Sequence, residues 1–436
     1  DRLGSRLWIR TLLGGWLPGC ETRLGVVGEE GFMKRLGWFE DLKVRASYGE
    51  MGNQSGIGLY DYIQLISLSN DYYPFGTGVK GQMATSGNII STSRTWETIQ
   101  TTNVGFDFST LNNRLYGSFD YFWKENKNML IPKTYPSMLG ADAPSTNSGH
   151  LSIHGWEISL GWRDQIKDFS YSVRFNISDA KNKVVDRVGS NLIQLGNNET
   201  PTGYPLNSYF GYEFDGIIQN EQELEAYKSR FSEGGIPGDL SVGDAMYKDL
   251  DGDGKLSVLG DGKEGSGDVK YLGDKNPRYN FGFNLSMAWK GFDLSAFIQG
   301  VGRRTMFLEG ESRCPMPEAW YQSAEYWYGK TWTPERTDAQ YPAITLKDKR
   351  NYNYYVSTNT KFNVAYARLK NLQFGYTIPQ TLTSKAGLQK VRVYFSGEDL
   401  FEVHNTPNGW DPEENSGSIT SYPFTRNYSF GINVVF

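Results

Sequence analysis

Apolar and polar residues alternate with a period of two along much of this chain. That is the pattern of a pleated strand with one face in an apolar medium and the other in water. In 169–178, Phe169, Tyr171, Val173, Phe175 and Ile177 fall on one face and Ser170, Ser172, Arg174, Asn176 and Ser178 on the other. A helix would scatter both sets. Tyr279, Phe281, Phe283, Leu285, Met287 and Trp289 alternate with Asn280, Gly282, Asn284, Ser286 and Ala288. Lys290-Gly291 then turns the chain, and Phe292, Leu294, Ala296 and Ile298 begin a return strand. The pattern repeats in 42–48, 104–108, 115–123, 156–162 and 391–395, with Leu111-Asn112-Asn113-Arg114 as a turn after 104–108. Leu372, Phe374 and Tyr376 share a face that Leu369 does not, which predicts a β-bulge near Lys370. With weaker candidates near 60–66 and 208–218, the count reaches about twelve strands.

The connectors 184–207, 219–275 and 303–360 are far longer than hairpin loops. Long loops at one end and tight turns at the other are the polarity of an outer-membrane barrel. Asn220, with Glu223 three residues on and Leu224, Ala226 and Tyr227 following, predicts a short helix opened by a capping box, on an extracellular loop. At the end of the chain, Tyr428, Phe430, Ile432, Val434 and Phe436 alternate with Ser429, Gly431 and Asn433. An amphipathic last strand ending on an aromatic resembles the signal read by the bacterial barrel-assembly machinery. An ordinary final strand is the plainer reading, and the many alternating segments upstream weigh against it.

Composition sharpens this. Aromatics make up 15% (28 Tyr, 24 Phe, 12 Trp) beside 50 Gly, with negative mean hydropathy. A lipid-facing strand surface with interfacial aromatic girdles and polar loops requires that mixture, although a large extracellular β-sandwich or propeller would share it. No run approaches the length of a transmembrane helix, but barrel strands cross in about ten alternating residues and escape a hydropathy window. A net charge of −5 gives no footprint for nucleic acid. Cys20 and Cys314 alone cannot build a disulfide framework or a zinc cluster. Arg2, Arg6 and Arg10 before Leu17-Pro18-Gly19-Cys20 mimic a lipoprotein signal, but Arg10, Gly14-Gly15 and Pro18 interrupt its apolar core. The expected fold is all-β: a transmembrane antiparallel β-barrel segment in outer-membrane lipid, with long extracellular loops and short periplasmic turns.

A collinear set of short motifs carries a family resemblance. Asp41-Leu42-Lys43-Val44-Arg45-Ala46-Ser47-Tyr48-Gly49 leads to Gly52-Asn53-Gln54; Trp96-Glu97-Thr98 and Asn112-Asn113-Arg114-Leu115 follow. Then come Gly155-Trp156-Glu157, Tyr247-Lys248-Asp249-Leu250-Asp251-Gly252-Asp253-Gly254, Phe283-Asn284-Leu285, Gly291-Phe292-Asp293-Leu294, Trp332-Thr333-Pro334-Glu335 and Arg368-Leu369-Lys370-Asn371. In that order, over 29–436, they resemble the SusC/RagA group of TonB-dependent transporters of Bacteroidetes. The resemblance implies the later strands, about twelve of about 22, of a barrel whose plug domain is absent here. It also implies an outer-membrane active importer of oligosaccharides, glycan fragments or peptides. Such an importer is energised by the TonB complex through the missing N-terminal region and works with a SusD-like surface lipoprotein. Residues 1–28 depart from the family: Arg and Gly dominate, alternation is lost, and a frame error or misassembled gene start would account for them. A passive porin or adhesin barrel and a secreted β-rich glycan-binding module are the competing classes.

Candidate chemistry is sparse. Asp249, Asp251 and Asp253 with Gly254 follow the opening of a calcium loop, in which alternate carboxylates converge on a hard cation. Gly260 stands where the closing carboxylate belongs, so a structural Ca²⁺ held with Ser257 and Asp261 requires a bulged loop. A solvated acidic turn is the alternative. His150 and His154, placed on a strand, stand about 13 Å apart, too far for one metal. With His404 the remaining histidine and no nucleophile elbow or phosphate loop, the chain carries no expected catalytic site. Trp320, Tyr321 and Trp327 could stack sugar rings, pack a loop or sit in the interface belt, a structural use being favoured because aromatic belts are the commoner use in barrels.

Overall fold

The computed structural model describes residues 6–12, 15–25, 38–55, 57, 64, 66–69, 74–75, 79–80, 83–86, 89–90, 95–132, 145–187, 195–196, 200–259, 267–317, 322–345, 348–414, 417 and 422–436, with the backbone alone over 6–25. Twelve strands form one antiparallel sheet in which spatial order is chain order. They are β1 (Arg6–Leu12), β2 (Gly15–Gly25), β3 (Phe39–Asn53), β4 (Glu97–Thr110), β5 (Leu115–Pro132), β6 (Ser145–Ile166), β7 (Phe169–Asp186), β8 (Arg278–Trp289), β9 (Phe292–Arg303), β10 (Tyr366–Thr377), β11 (Lys390–His404) and β12 (Asn427–Val435). Among the described residues β1 pairs only with β2 and β12 only with β11, so the sheet stays open.

Strand register turns the period-two pattern into a surface. Val44, Phe106, Phe119, Ile158, Ile177 and Phe281 line up across β3 to β8. Nearer the tight turns, Ile166, Phe169, Trp289, Phe292, Tyr376, Val393 and Ile432 form a second row across β6 to β12. Many of these side chains are exposed, including Val44, Phe106, Trp289, Phe292, Val393 and Ile432. The buried apolar residues lie instead in the long loops, joined by Val184, Val301 and Tyr366 at the loop ends of their strands. No second layer of described residues covers the apolar face, so this is not a sandwich. An apolar band of this extent without a protein cover requires lipid.

The opposite face is polar and braced by ion pairs. On β3, Arg45 reaches Asp107 of β4 at 3.0 Å and Asp120 of β5 at 2.8 Å. Gly105 lies between them in register, and a Cβ there would collide with the Asp120 carboxylate and the Phe119 carbonyl, so glycine keeps the bridge open. Arg392 of β11 forks onto Asp293 of β9 across β10, where a Cβ on Gly375 would strike the guanidinium.

The two ends differ as the sequence implied. Leu111–Asn113, Lys167 and Lys290-Gly291 make tight turns, with positive φ at Leu111, Asn112, Asn113, Lys167, Lys290 (47°) and Gly291 (88°). Successive positive φ values give a hairpin the twist its strands need. At the other end lie the described parts of 54–96, 187–277, 304–365 and 405–426. The bulge sits at Lys370: Ile298 pairs with Leu369 and Phe297 with Asn371, leaving Lys370 unpaired.

One expectation needs correction. The 208–218 segment is not wall: Ser208–Tyr212 pairs with Val269–Asp274 and Phe214–Ile217 with Ala245–Tyr247, both inside a loop. Apolar runs of strand length fit a small loop ladder as readily as a barrel stave. Most of 60–66 lies outside the described residues; Ile66–Ser69 pairs with Met83–Ser86, away from the main sheet. Conversely, 6–12 and 15–25, which lack alternation, supply β1 and β2, and β2 pairs with β3 from Gly19↔Gly49 to Gly25↔Lys43. Backbone hydrogen bonding is sequence-blind enough to extend a sheet without that pattern.

Candidate functional site

The chemistry-bearing part of the molecule is the mouth, where the long loops fold together. Helix α1 (Glu221–Arg230) opens with half of the expected capping box: the Asn220 side chain accepts from Glu223 N–H at 2.9 Å, while Glu223 reaches back one residue further and accepts from Gln219 N–H at 2.9 Å. Its buried Leu224 and Tyr227 pack with Tyr212, Ile218, Tyr247 and, from the 304–365 loop, Tyr352. Tyrosine hydroxyls then stitch the two loops. The Tyr247 hydroxyl donates to the Tyr352 carbonyl at 2.8 Å, and the Tyr247 N–H donates to the Tyr227 hydroxyl at 2.9 Å. Asn353 donates to buried Asp244 at 2.9 Å and accepts from Ala245 N–H at 3.0 Å. Burial pushes the phenols of Tyr247 and Tyr352 well above their ordinary range, so they remain neutral donors.

Trp327 belongs to a second loop core with Met306, Cys314, Tyr326, Tyr341, Tyr354 and Trp410. It is 3% exposed and meets Tyr341 and Tyr354 edge-on, so its ring is engaged in packing. The neighbouring Tyr328 is 90% exposed. Trp320 and Tyr321 lie outside the described residues. The terminal row Tyr428, Phe430, Ile432, Val434 and Phe436 stands on and just beyond β12 with all five side chains exposed, Phe430 and Phe436 most of all.

At the acidic turn, carboxylate oxygens of Asp249, Asp251 and Asp268 lie within 4.8 Å of one another. Asp268 was missed from sequence because it is remote from the Asp249–Asp253 motif. Asp261 lies outside the described residues. All six oxygens of the trio accept backbone N–H groups: Asp249 from Gly252 and Gly254, Asp251 from Asp253 and Gly267, Asp268 from Leu250 and Ser257. Asp253 accepts from Lys255 N–H and stays outside the trio, while Ser257 contributes its amide to Asp268. The amides alone therefore hold the turn closed, and each oxygen retains a second lone pair. Burial raises the Asp268 carboxyl above its usual value, against its two amide bonds, and Asp251 and Asp249 add to the rise. His150 and His154 sit on β6 as expected, and His150 Nε2 lies 2.6 Å from Glu125.

One cluster had no sequence signal beyond its place in the Arg368-Leu369-Lys370-Asn371 motif. The Arg368 side chain, fully buried near the loop end of β10, meets Glu402 at 2.8 Å, Asp411 at 2.6 Å and Glu413 at 3.0 Å. Phe424 covers its guanidinium at 4.2 Å. Bulged Lys370 adds Asp399 at 2.8 Å and Glu413 at 3.0 Å. The 405–426 loop is thereby fastened to the wall by charge.

These features can be set against known proteins. No family model matches the chain. It is 31% identical to TonB-dependent receptor P3 of Formosa agariphila over 94% of its own length and 41% of that protein's. It is 24% identical to TonB-dependent receptor SusC of Bacteroides thetaiotaomicron over 94% of this chain and 39% of that one. The structure of the RagAB peptide transporter superposes with a TM-score of 0.74 at 21% identity, covering 96% of this chain and 43% of the other, which concerns fold alone. The chain thus spans about two fifths of the relatives it matches. The fold and band define part of an outer-membrane β-barrel. Along nearly its whole length the chain is similar to TonB-dependent receptors, SusC among them, and it superposes on the C-terminal barrel portion of RagAB.

Proposed function

We propose that the chain forms the later wall and much of the outer mouth of an active importer, which brings oligosaccharides, glycan fragments or peptides across the outer membrane. One observation carries the reading: sequence similarity to a TonB-dependent receptor runs along 94% of the chain at 31% identity. The co-folded loops support it, because a packed mouth built on hydroxyl and charge contacts offers a firm seat for a second protein. In this reading a SusD-like lipoprotein sits over those loops, and the TonB complex acts through the N-terminal part of the whole receptor. One structural neighbour is described as a peptide transporter, which keeps peptides among the substrate classes.

The test is uptake of fluorescent oligosaccharides and peptides by cells with and without the gene, before and after the inner-membrane proton gradient is collapsed. Uptake that needs both the gene and the gradient supports an active importer. Uptake that needs the gene but ignores the gradient indicates a passive porin and overturns the proposal.

A further inference from the structure

The wall has a gap near its outer rim. β7 and β8 pair only as far as Ser178↔Asn280, whereas β6 and β7 stay paired up to His150↔Asp186. The free edge of β7 is taken instead by a loop segment: Gly203 N–H donates to Val184 O at 2.8 Å, and Val184 N–H to Tyr204 O at 2.9 Å. A cavity of about 360 Å³ opens there, with Lys181, Lys183, Arg278, Arg303 and His154 among its lining.

Register says which way these cations face. From Ile158↔Ile177 the pairs climb through Trp156↔Asp179 and His154↔Lys181 to Ser152↔Lys183 without a register break. Side chains two apart share a face, so His154, Lys181 and Lys183 continue the apolar, lipid-side row beyond its end. Lys181 stands about 13 Å along the strand from Ile177. In the adjoining strand Tyr121 pairs with Trp156 and Trp123 with His154, their rings 4.4 Å apart. Trp123 is exposed. Tyrosine and tryptophan at the end of an apolar band mark headgroup level, and the cations begin at that level and continue outward.

The neighbouring carboxylates are already engaged. Asp179 is forked by Arg278, Asp274 accepts from the Tyr271 hydroxyl at 2.8 Å, and Glu125 is held by His150 at 2.6 Å and Ser152 at 2.7 Å. Among the described residues no carboxylate lies within ion-pair distance of Lys181, Lys183 or Arg303. In a chain of net charge −5 this is a local excess of positive charge without an internal partner.

We propose that this rim pocket binds the phosphate of an outer-leaflet lipid headgroup, with Lys181 and Lys183 as the principal contacts. The position selects a lipid: the cations rise from the acyl-facing row, so a bound lipid lays its chains on the Ile158–Ile177 band while its phosphate reaches the lysines. Multiple oxygens on a tetrahedral anion suit several convergent N–H donors.

The experiment uses protein purified from outer membranes in mild detergent, with native mass spectrometry reading retained lipid. A phosphate-bearing lipid A and its dephosphorylated form are added in parallel, with inorganic phosphate as a third arm. Retention of the phosphorylated lipid is expected to fall about thirty-fold in K181Q/K183Q, since each lysine near an anionic lipid surface contributes roughly a factor of five. K181R/K183R should retain it, as should K290Q at the opposite end of the wall. Equal retention of both lipids, unchanged retention in K181Q/K183Q, or competition by millimolar inorganic phosphate without lipid binding would each overturn the proposal. A folded control is provided by unchanged heat-modifiable migration of every variant on gels.

Discussion

The hydroxyls of Tyr227 and Tyr352 lie 2.7 Å apart although the residues are 125 positions apart in sequence. Each comes from a different long loop, so this contact is where the mouth becomes one folded body. Burial pushes the Tyr227 phenol up to about 12, and its bond to Tyr352 opposes the rise. Removing one hydroxyl with Tyr352→Phe should cost about 1–3 kcal/mol, the range for stranding a buried polar partner. Hydrogen exchange should quicken in 221–230 and 348–355 while the amides of β6 and β7 keep their protection.

Glu213 gives the mouth a pH response. It lies between the two loop ladders, accepts from Lys248 at 2.8 Å and also from Lys270. Those two bonds lower its carboxyl from 4.5 to about 2. A carboxylate depressed in the folded state stabilises above its unfolded pKa and loses that contribution as pH falls through the folded one. Loop resistance to an acid-active protease should therefore weaken between pH 4.5 and about 2. Glu213→Gln should flatten that dependence. The effect is modest, because the side chain is about one-quarter exposed and solvent screens the pairs.

Arg368 is the most consequential single charge. Its side chain is fully buried among three carboxylates, and Arg368→Gln would leave Glu402, Asp411 and Glu413 to repel one another. Removing one partner of a buried ionic set costs about 3–5 kcal/mol. The variant should release the 405–426 loop to proteolysis, and neutralising Glu413 in the same chain should restore part of the protection.

The two faces of β7 should respond oppositely to charge. Phe175 stands in the apolar row beside Leu160 and Phe283, while Asn176 faces the polar side beside Ser159 and Gly282. Arginine at Phe175 should cost about 2–4 kcal/mol, as on any lipid face near the midplane. Arginine at Asn176 should leave folding yield in detergent nearly unchanged.

Much of the wall was legible because a period of two leaves few other choices. The Lys290-Gly291 hairpin, the Asn220–Glu223 cap and the bulge at Lys370 each rest on local chemistry, which sequence carries directly. β1 and β2 were hidden because their pairing lacks an alternating pattern, and 208–218 misled because a loop ladder reads like a stave. The mouth was nearly invisible. Contacts such as Tyr227 to Tyr352, or Arg368 to Asp411, depend on how distant loops meet, and no local spacing encodes that. Asp268 joined the acidic turn for the same reason.

The central claim is that β7 has hydrocarbon on one side and aqueous lumen on the other. Single nitroxide labels from position 171 to 177, in protein reconstituted into lipid vesicles, test it through collision rates with oxygen and with a water-soluble nickel chelate. Oxygen should dominate at 171, 173, 175 and 177 and nickel at 172, 174 and 176. Uniform rates, or the same alternation with the two reagents exchanged, would contradict the claim.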